Sequence, residues 1–392
     1  MFILSAKERN IENSKYWKNS KKYYNLKEKF KMKKLVTILL VVSIVFSLFL
    51  FQGCGKKKDE DVIKIGAVLP LTGYLSELGS DEKIAIELGI EKFDTKNKIE
   101  IIYKDSKGQA KESLSAVSQL INQGVDKIIL STSSVVLANL GRYNSEEYLF
   151  IAQCMSPNVV ENYKNAIRIY ASVDDETDLM ADYINKNNLN KLSLMYINND
   201  FGQNSISELL HKVDIKKDLQ RESFSFGDKN YKNQIAKIKD FNPNALTIYS
   251  YPQQWPNIIH QLDQYKFDKI IIANSGLSFL INEISRYNIS ENILAPIPKY
   301  IYAKEDKRIN SFKKLLKQRT DKSANYDIIY FYDMMKILIN NLYLYPNLNN
   351  QELIIKITSK NYNGVSGELK FNNRDAKSID LKFMKIKNIS NN

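Results

Sequence analysis

The sequence predicts an α/β protein built on two open, mostly parallel sheets flanked by helices. Three observations predict it. From Val62 onward, short apolar runs of strand length alternate with longer segments of helical character, joined by short connections. The alternation then restarts as a second set. The chain closes differently, with a long apolar helix followed by a hairpin pattern.

In order, "IKIGAVL" (63–69) reads as a strand and "DEKIAIELGIEKF" (81–93) as a helix with Asp81 as N-cap. "IEIIYK" (99–104) is a strand. "QAKESLSAVSQLINQG" places Ala110, Leu114, Val117 and Ile121 on one helical face and stops at Gly124. "KIIL" (127–130), "LFIAQ" (149–153) and "AIRIYA" (166–171) are strands. "DDETDLMADYINKNN" (174–188) is a helix that opens the second set. "KLSLMYI" (191–197), "ALTIYSY" (245–251) and "KIIIAN" (269–274) are its strands, with helices between them. "DIIYFYDMMKILINNL" (327–342) is a long helix packed on a sheet. "GVSGELKFNNRDAKS" followed by "LKFMKIKNI" reads as strand, polar turn, strand.

Ahead of this body, "LVTILLVVSIVFSLFLF" (Leu35 to Phe51) follows Lys33 and Lys34. Seventeen apolar or small residues behind a basic stretch fit a signal-peptide core better than a spanning helix, which needs about 20. Met32 is then a natural start, and residues 1–31 an unstructured extension or a misassigned start. "FQGC" follows, and it resembles a bacterial lipoprotein cleavage box. Gly53 fits the position before Cys54, and Phe51 departs from the usual Leu. The resemblance implies diacylation of Cys54. The alternative is an uncleaved anchor, and both readings place the body outside the cytoplasmic membrane. "GKKKDED" (55–61) reads as a tether. The other cysteine, Cys154, then has no disulfide partner, so the core must hold the fold.

The net charge is +13. Residues 1–53 hold 11 basic against 3 acidic residues, and the rest holds 46 against 41. No basic run marks the body, which argues against a nucleic-acid partner. His211 and His260 lie in predicted helices without metal spacing, so no metal and no cofactor is expected. A Cys154–His260 nucleophile pair stays open, although a buried Cys is more often packing. No phosphate loop or nucleophile elbow occurs, so no enzyme is expected.

In open α/β sheets, ligands bind beyond the carboxyl ends of the strands. The loops there are "PLTGYLSELGS" (70–80), "STSS" (131–134), "QCMSPN" (153–158), "NNDFGQNS" (198–205), "YPQQWP" (251–256) and "NSGLS" (274–278). They are rich in hydroxyls, amides and aromatics. Their charges are few, chiefly Glu77 and Asp200. Small-molecule sites are made of such material.

These loops, with "IKIGAVLPLTGYLSELGSDEKIAIELGIEKF", "GVDKIILSTSS" and "YFYDMMKIL", resemble the type I periplasmic-type solute-binding proteins of ABC importers, the branched-chain amino acid (Leu/Ile/Val) binding branch. The resemblance spans about 62–385. It implies a two-lobed clamp with no chemistry and three crossovers, near 171, 300 and 362. Lobe I is then 62–171 plus 301–362, and lobe II is 172–300 plus 363–392. Ligand binds between the lobes and stabilises their closure.

Carried over by position, the resemblance implies that Ser133 and Ser134 bind a ligand carboxylate. A helix N-terminus with hydroxyls independently favours an anion. Cys154 through its backbone and Ser156 through its hydroxyl would bind the polar head. Phe201 keeps only the apolar wall of a usual Tyr, Tyr251 faces it, and Leu78 closes over the ligand. Leu130 replaces a common glycine. Ser275 stands where the family usually places a carboxylate for the ligand ammonium. A buried ammonium needs a charge partner. Either Asp200 or Glu77 substitutes, or the ligand is not an α-amino acid.

Plainer readings stand beside these. Ser133 and Ser134 suit helix capping, Asp105 a turn, and Tyr74 and Trp255 surface packing. The expected function is a lipid-anchored, extracytoplasmic receptor, monomeric, delivering an amino acid or similar small carboxylate or amide to ABC permease subunits. The alternative is the same clamp coupled to a separate signalling partner.

Overall fold

A computed structural model describes residues 62–392 apart from 157–158, 215–217, 304, 379 and 391–392. The chain divides into two units, Met1–Asp61 and Val62–Asn392. In the first, only Asn19, Lys22, Tyr23, 27–29 and 31–34 are described, all helical and exposed. The apolar run 35–51 and Cys54 lie outside the described residues. Among the described residues, no helix is long and apolar enough to cross a membrane.

The second unit holds two sheets. The first is built from β1 (Ile63–Leu69), β2 (Ile99–Asp105), β3 (Lys127–Ser131), β4 (Leu149–Gln153) and β5 (Ala166–Ile169). To these the chain end adds β11 (Tyr362–Asn363), β12 (Glu368–Asn372) and β13 (Asp375–Ser378), giving the order β11-β12-β13-β5-β4-β3-β1-β2. The second sheet has β6 (Lys191–Ile197), β7 (Asp218–Phe224), β8 (Ala245–Tyr249), β9 (Ile270–Ala273), β10 (Ile293–Pro298) and β14 (Leu381–Lys385), in the order β14-β10-β9-β8-β6-β7. Strands β1 to β5 pair in parallel throughout, as do β6 to β10.

Helices α1 (Ser76–Phe93), α2 (Ala110–Asn122) and α3 (Ser133–Arg142) connect the strands of the first lobe. Helices α4 (Val173–Lys186), α5 (Asp200–Lys212), α6 (Lys232–Phe241) and α7 (Trp255–Gln264) belong to the second. The chain then returns with α8 (Lys307–Arg319), α9 (Tyr326–Leu344) and α10 (Asn350–Thr358). Ile309, Phe312, Phe331, Leu338 and Ile357 share one core with Ile65, Ile86 and Ile151 of the first lobe. Helix α9 is buried almost all round, which explains its continuous apolar run. It lies so close to α1 that a Cβ on Gly89 would stand 2.5 Å from the Cβ of Met335.

Three expectations change. Helix α1 begins at Ser76, not at Asp81, and Asp81 instead pairs with Lys322 and accepts from Asn325 Nδ2 at 2.6 Å. The hairpin turn lies inside "FNNRD". Asn373 and Arg374 both take positive φ, 54° and 114°, as a two-residue hairpin turn requires. The hairpin β12–β13 therefore stays in the first sheet, where Asp375 and Ala376 pair with Arg168 and Ile169. "LKFMK" is a separate strand, antiparallel to β10. The last passage between sheets thus falls between Ser378 and Leu381 rather than near 362, and 363–378 belongs with the first lobe.

Candidate functional site

The carboxyl ends of β3 and β4 face those of β6, β8 and β9 across a cavity of about 90 Å³. The strand ends put the residues there. Ser131 ends β3 and Thr132 and Ser133 follow it, Gln153 ends β4 and Cys154 follows it, Ser250 and Tyr251 follow β8, and Asn274 and Ser275 follow β9. Glu82 on α1 and Asp327 in the first turn of α9 complete the first-lobe wall.

Of the residues expected from sequence, Leu78, Ser133, Cys154, Phe201, Tyr251 and Ser275 line this cavity. Two do not. Ser156 is buried and spends its hydroxyl on Ser133 Oγ at 2.6 Å, so it acts through Ser133. Ser134 is half-buried on α3 and is not part of the wall. Asp200 and Glu77, the two suggested ammonium partners, are both exposed outside the cavity. Glu77 lies at an adjoining recess of about 220 Å³, which shares Leu78, Pro252, Phe279 and Asp327 with the cavity.

The capping expectation is also revised. The N-cap of α3 is Thr132, and its side chain makes no capping bond. Thr132 takes φ 71° and ψ 146°, a region that a β-branched residue avoids at a cost of about 1–3 kcal/mol. Its backbone N–H donates to the Gln153 carbonyl at 3.2 Å, and its carbonyl accepts from Val136 at 3.0 Å. Helix geometry leaves the N–H groups of Ser133, Ser134 and Val135 without intrahelical acceptors. The strained turn therefore aims a helix N-terminus at the cavity.

Polar satisfaction differs between the two walls. Glu82 Oε2, Thr132 Oγ1 and both amide atoms of Gln153 are buried without a hydrogen-bond partner. All belong to residues on the first-lobe wall. Native interiors tolerate few such atoms, and they mark places where a partner is meant to arrive. On the second wall the polar groups are engaged. Asn274 Oδ1 accepts from Ser250 N at 3.1 Å, and Tyr251 Oη accepts from Asn199 Nδ2 at 3.3 Å. Phe201 and Tyr251 stack at 5.2 Å between ring centroids, which gives that wall a flat aromatic surface.

Three carboxyls in or beside the cavity are raised. Burial raises Glu82 well above its ordinary range, and the charge of Asp327 adds to this, while the hydroxyl donated by Ser131 opposes it. Burial pushes Asp327 up to about 7, against a hydroxyl donated by Tyr170. Burial likewise raises Glu176 to about 7. Glu176 stands behind Ser275, taking its hydroxyl and, at 3.3 Å, its N–H, and it does not line the cavity. So a carboxylate does accompany Ser275, but one layer back.

Sequence reasoning missed Glu82, Thr132, Gln153 and Asp327. Glu82 carried a signal: it shares the stripe of Ala85, Ile86 and Gly89, all buried, and an acid in a core stripe is unusual. Arg168 was also missed. It is wholly buried, pairs with Asp375, and donates to the carbonyls of Cys154, Tyr170 and Ala171 at 2.9, 3.2 and 2.8 Å. The Cys154 carbonyl expected to meet ligand is thus already an acceptor. Burial pushes the Cys154 thiol up to about 11, and His260 is exposed against Tyr287, outside the cavity. The pair does not form a nucleophilic couple. Among the described residues, no cluster suits a metal ion. Trp255 is wholly buried, whereas Tyr74 is exposed and meets Phe226 of the other lobe in a tilted pair with ring centroids 4.6 Å apart. Asp105 serves its turn, accepting from the N–H groups of Leu71, Thr72 and Lys107.

Comparison with known proteins agrees with this architecture. The chain is 21% identical over 228 residues to the Leu/Ile/Val-binding protein homolog 3 of Brucella melitensis, covering 55% of this chain and 62% of that relative. The branched-chain amino acid transporter substrate-binding protein LivJ from Streptococcus pneumoniae, solved with isoleucine, superposes with a TM-score of 0.70 at 17% identity. The match covers 83% of this chain and 99% of that one. A solute-binding protein of an ABC transporter from Rhodopseudomonas palustris, solved with 3,4-dihydroxybenzoic acid, gives 0.72 at 18% identity, covering 83% and 93%. The fold is the two-lobed type I arrangement. The periplasmic binding protein family model matches residues 62–387, and the chain belongs to that family.

Proposed function

We propose that this protein is an extracytoplasmic receptor that captures an amino acid or a similar small carboxylate or amide between its lobes and delivers it to an ABC importer. One observation carries the reading. The first-lobe wall presents a helix N-terminus and unpartnered polar atoms to a cavity at the strand ends, and the second lobe offers an aromatic face opposite. A carboxylate at Thr132 and Ser133 gains the helix N–H groups and hydroxyls. Closure then buries the rest of the ligand against Phe201 and Tyr251. Relatives that bind isoleucine and an aromatic acid in the same fold support the class of ligand. In this reading, acylation of Cys54 anchors the receptor beside its permease.

Thermal-shift screening of the full chain against amino acids, short carboxylates, amides and urea-like solutes tests the reading. At least one class raises the midpoint, and Ser133→Ala weakens its binding about ten- to a hundredfold, the worth of one hydrogen bond to a charged group. A chain that no class stabilises, or a Ser133→Ala variant with unchanged affinity, overturns it. Co-purification with permease subunits, and loss of membrane association in Cys54→Ser, test the importer and the anchor.

A further inference from the structure

We propose that Glu82 and Asp327, both on the first lobe, together hold a cationic group of the ligand. The inference rests on the receptor reading above and specifies which ligands it admits.

Glu82 is 1% exposed and lines the cavity. One of its oxygens takes the Ser131 hydroxyl, and the other has no donor. Asp327 lines the same cavity and takes the Tyr170 hydroxyl. Two carboxyls buried within each other's field resist carrying both negative charges, and become able to carry them when a cation joins them. Helix α9 offers its first turn to Asp327, but a helix terminus supplies about half a charge and cannot neutralise both.

Among the described residues, no protein cation lines the gap. The described residues lining the cavity and the recess beside it include Glu82, Asp327, Glu77 and Asp81, and no Lys, Arg or His. The chain beyond residue 53, to which this acidic cleft belongs, holds 46 basic against 41 acidic residues. Lys322, outside both linings, is engaged by Asp81. A cation arriving between Glu82 and Asp327 would relieve their repulsion and give Glu82 Oε2 its missing donor. A neutral ligand does neither.

The placement also separates roles between lobes. A cation at Glu82 and Asp327 lies near Ser131, two residues from the helix N-terminus that suits a carboxylate. Both charged ends of a zwitterion therefore meet the first lobe. The second lobe, whose carboxylate Glu176 is withdrawn behind Ser275, contributes the aromatic wall. The aromatic rings of Tyr170, Phe201 and Tyr251 add faces that favour a cation over an anion.

Three probe sets on the full chain test this by titration calorimetry: the proteinogenic amino acids, the amines left when their carboxylate is removed, and the acids left when their ammonium is removed. Amino acids or amines bind, and the matched acid binds at least about tenfold more weakly, as loss of a buried charge pair requires. Glu82→Gln and Asp327→Asn each weaken the binding ammonium probe at least about tenfold and narrow its advantage over the acid. Both variants replace a strained carboxyl by an isostere, and their unliganded melting temperatures, unchanged or raised, report that they fold. An acid that binds as tightly as its amino acid, or variants that bind the ammonium probe unchanged, overturn the cation site while leaving the receptor reading intact. If no set binds, both fall.

Discussion

Arg168 and Asp375 meet at 2.6 Å in the interior of the first lobe, one from β5 and one from the C-terminal hairpin. The same guanidinium gathers the carbonyls of Cys154, Tyr170 and Ala171, so a single side chain ties the cavity wall to the passage toward the second lobe. Removing one partner of a buried pair strands the other charge. Arg168→Met is expected to cost about 3–5 kcal/mol in urea unfolding. The double variant Arg168→Met, Asp375→Leu should recover much of that loss. A single variant as stable as the parent contradicts the role.

Thr132 separates strain from binding. Thr132→Ala removes the hydroxyl and keeps the Cβ at φ 71°, whereas Thr132→Gly relieves the backbone. Glycine should therefore be more stable than alanine here by about 1 kcal/mol, the reverse of the usual order. Both variants should bind a carboxylate ligand more weakly than the parent. Equal stability of the two variants would show that the turn is not strained.

Tyr74 and Phe226 touch across the lobes at 4.6 Å. Neither lines the cavity, so their contact belongs to closure. Tyr74→Ala is expected to weaken ligand binding about two- to tenfold through faster dissociation, from the worth of one aromatic pair. Stopped-flow dissociation rates check it. A slower association with unchanged dissociation would place Tyr74 in ligand entry instead.

The raised carboxyls make stability depend on pH. Asp327 and Glu176 titrate at about 7 in the folded chain, and Glu82 is raised well above its range. Their unfolded values lie near 4. The folded state thus binds protons more tightly. The resulting stability is fully present below about pH 4 and is lost as pH rises through about 7. Asp327 faces Tyr170 and feels the charges of Asp81 and Glu82, with Lys322 on Asp81. The unliganded protein should therefore melt lower at about pH 8 than at about pH 5.5, and Glu176→Gln should flatten part of that slope. Carboxyls held down, such as Asp306 by Arg308, act only near their own low range. A melting temperature that rises with pH across this window contradicts the assignment.

Much of this was legible in the sequence, for reasons that differ by element. Strands such as 63–69, 149–153 and 191–197 are continuous apolar runs because both faces are covered. β7, "DLQRESF", escaped notice because it is a polar edge strand. The destination of β13 could not be read from "RDAKS", since pairing with Arg168 is a contact 207 positions away in sequence and depends on a buried ion pair. At the site, topology pointed to the strand-end loops, and the family resemblance singled out Ser133, Tyr251 and Ser275 within them. Glu82 and Asp327 sit on helices rather than loops, so a search of loops passed over them. Thr132 was hidden by its neighbours, because a row of hydroxyls does not reveal which one takes the strained backbone.

The acidic, hydroxyl-rich cavity is proposed as a receptor site for a small charged solute. Native mass spectrometry of the gently purified full chain, with chemical identification of any solute released on denaturation, tests it most directly. One small molecule per chain is expected, carrying both a carboxylate and a cationic nitrogen, and Glu82→Gln and Ser133→Ala lose it. A released solute that is apolar, or one retained by both variants, would contradict it, and a wholly anionic solute would overturn the cation site alone.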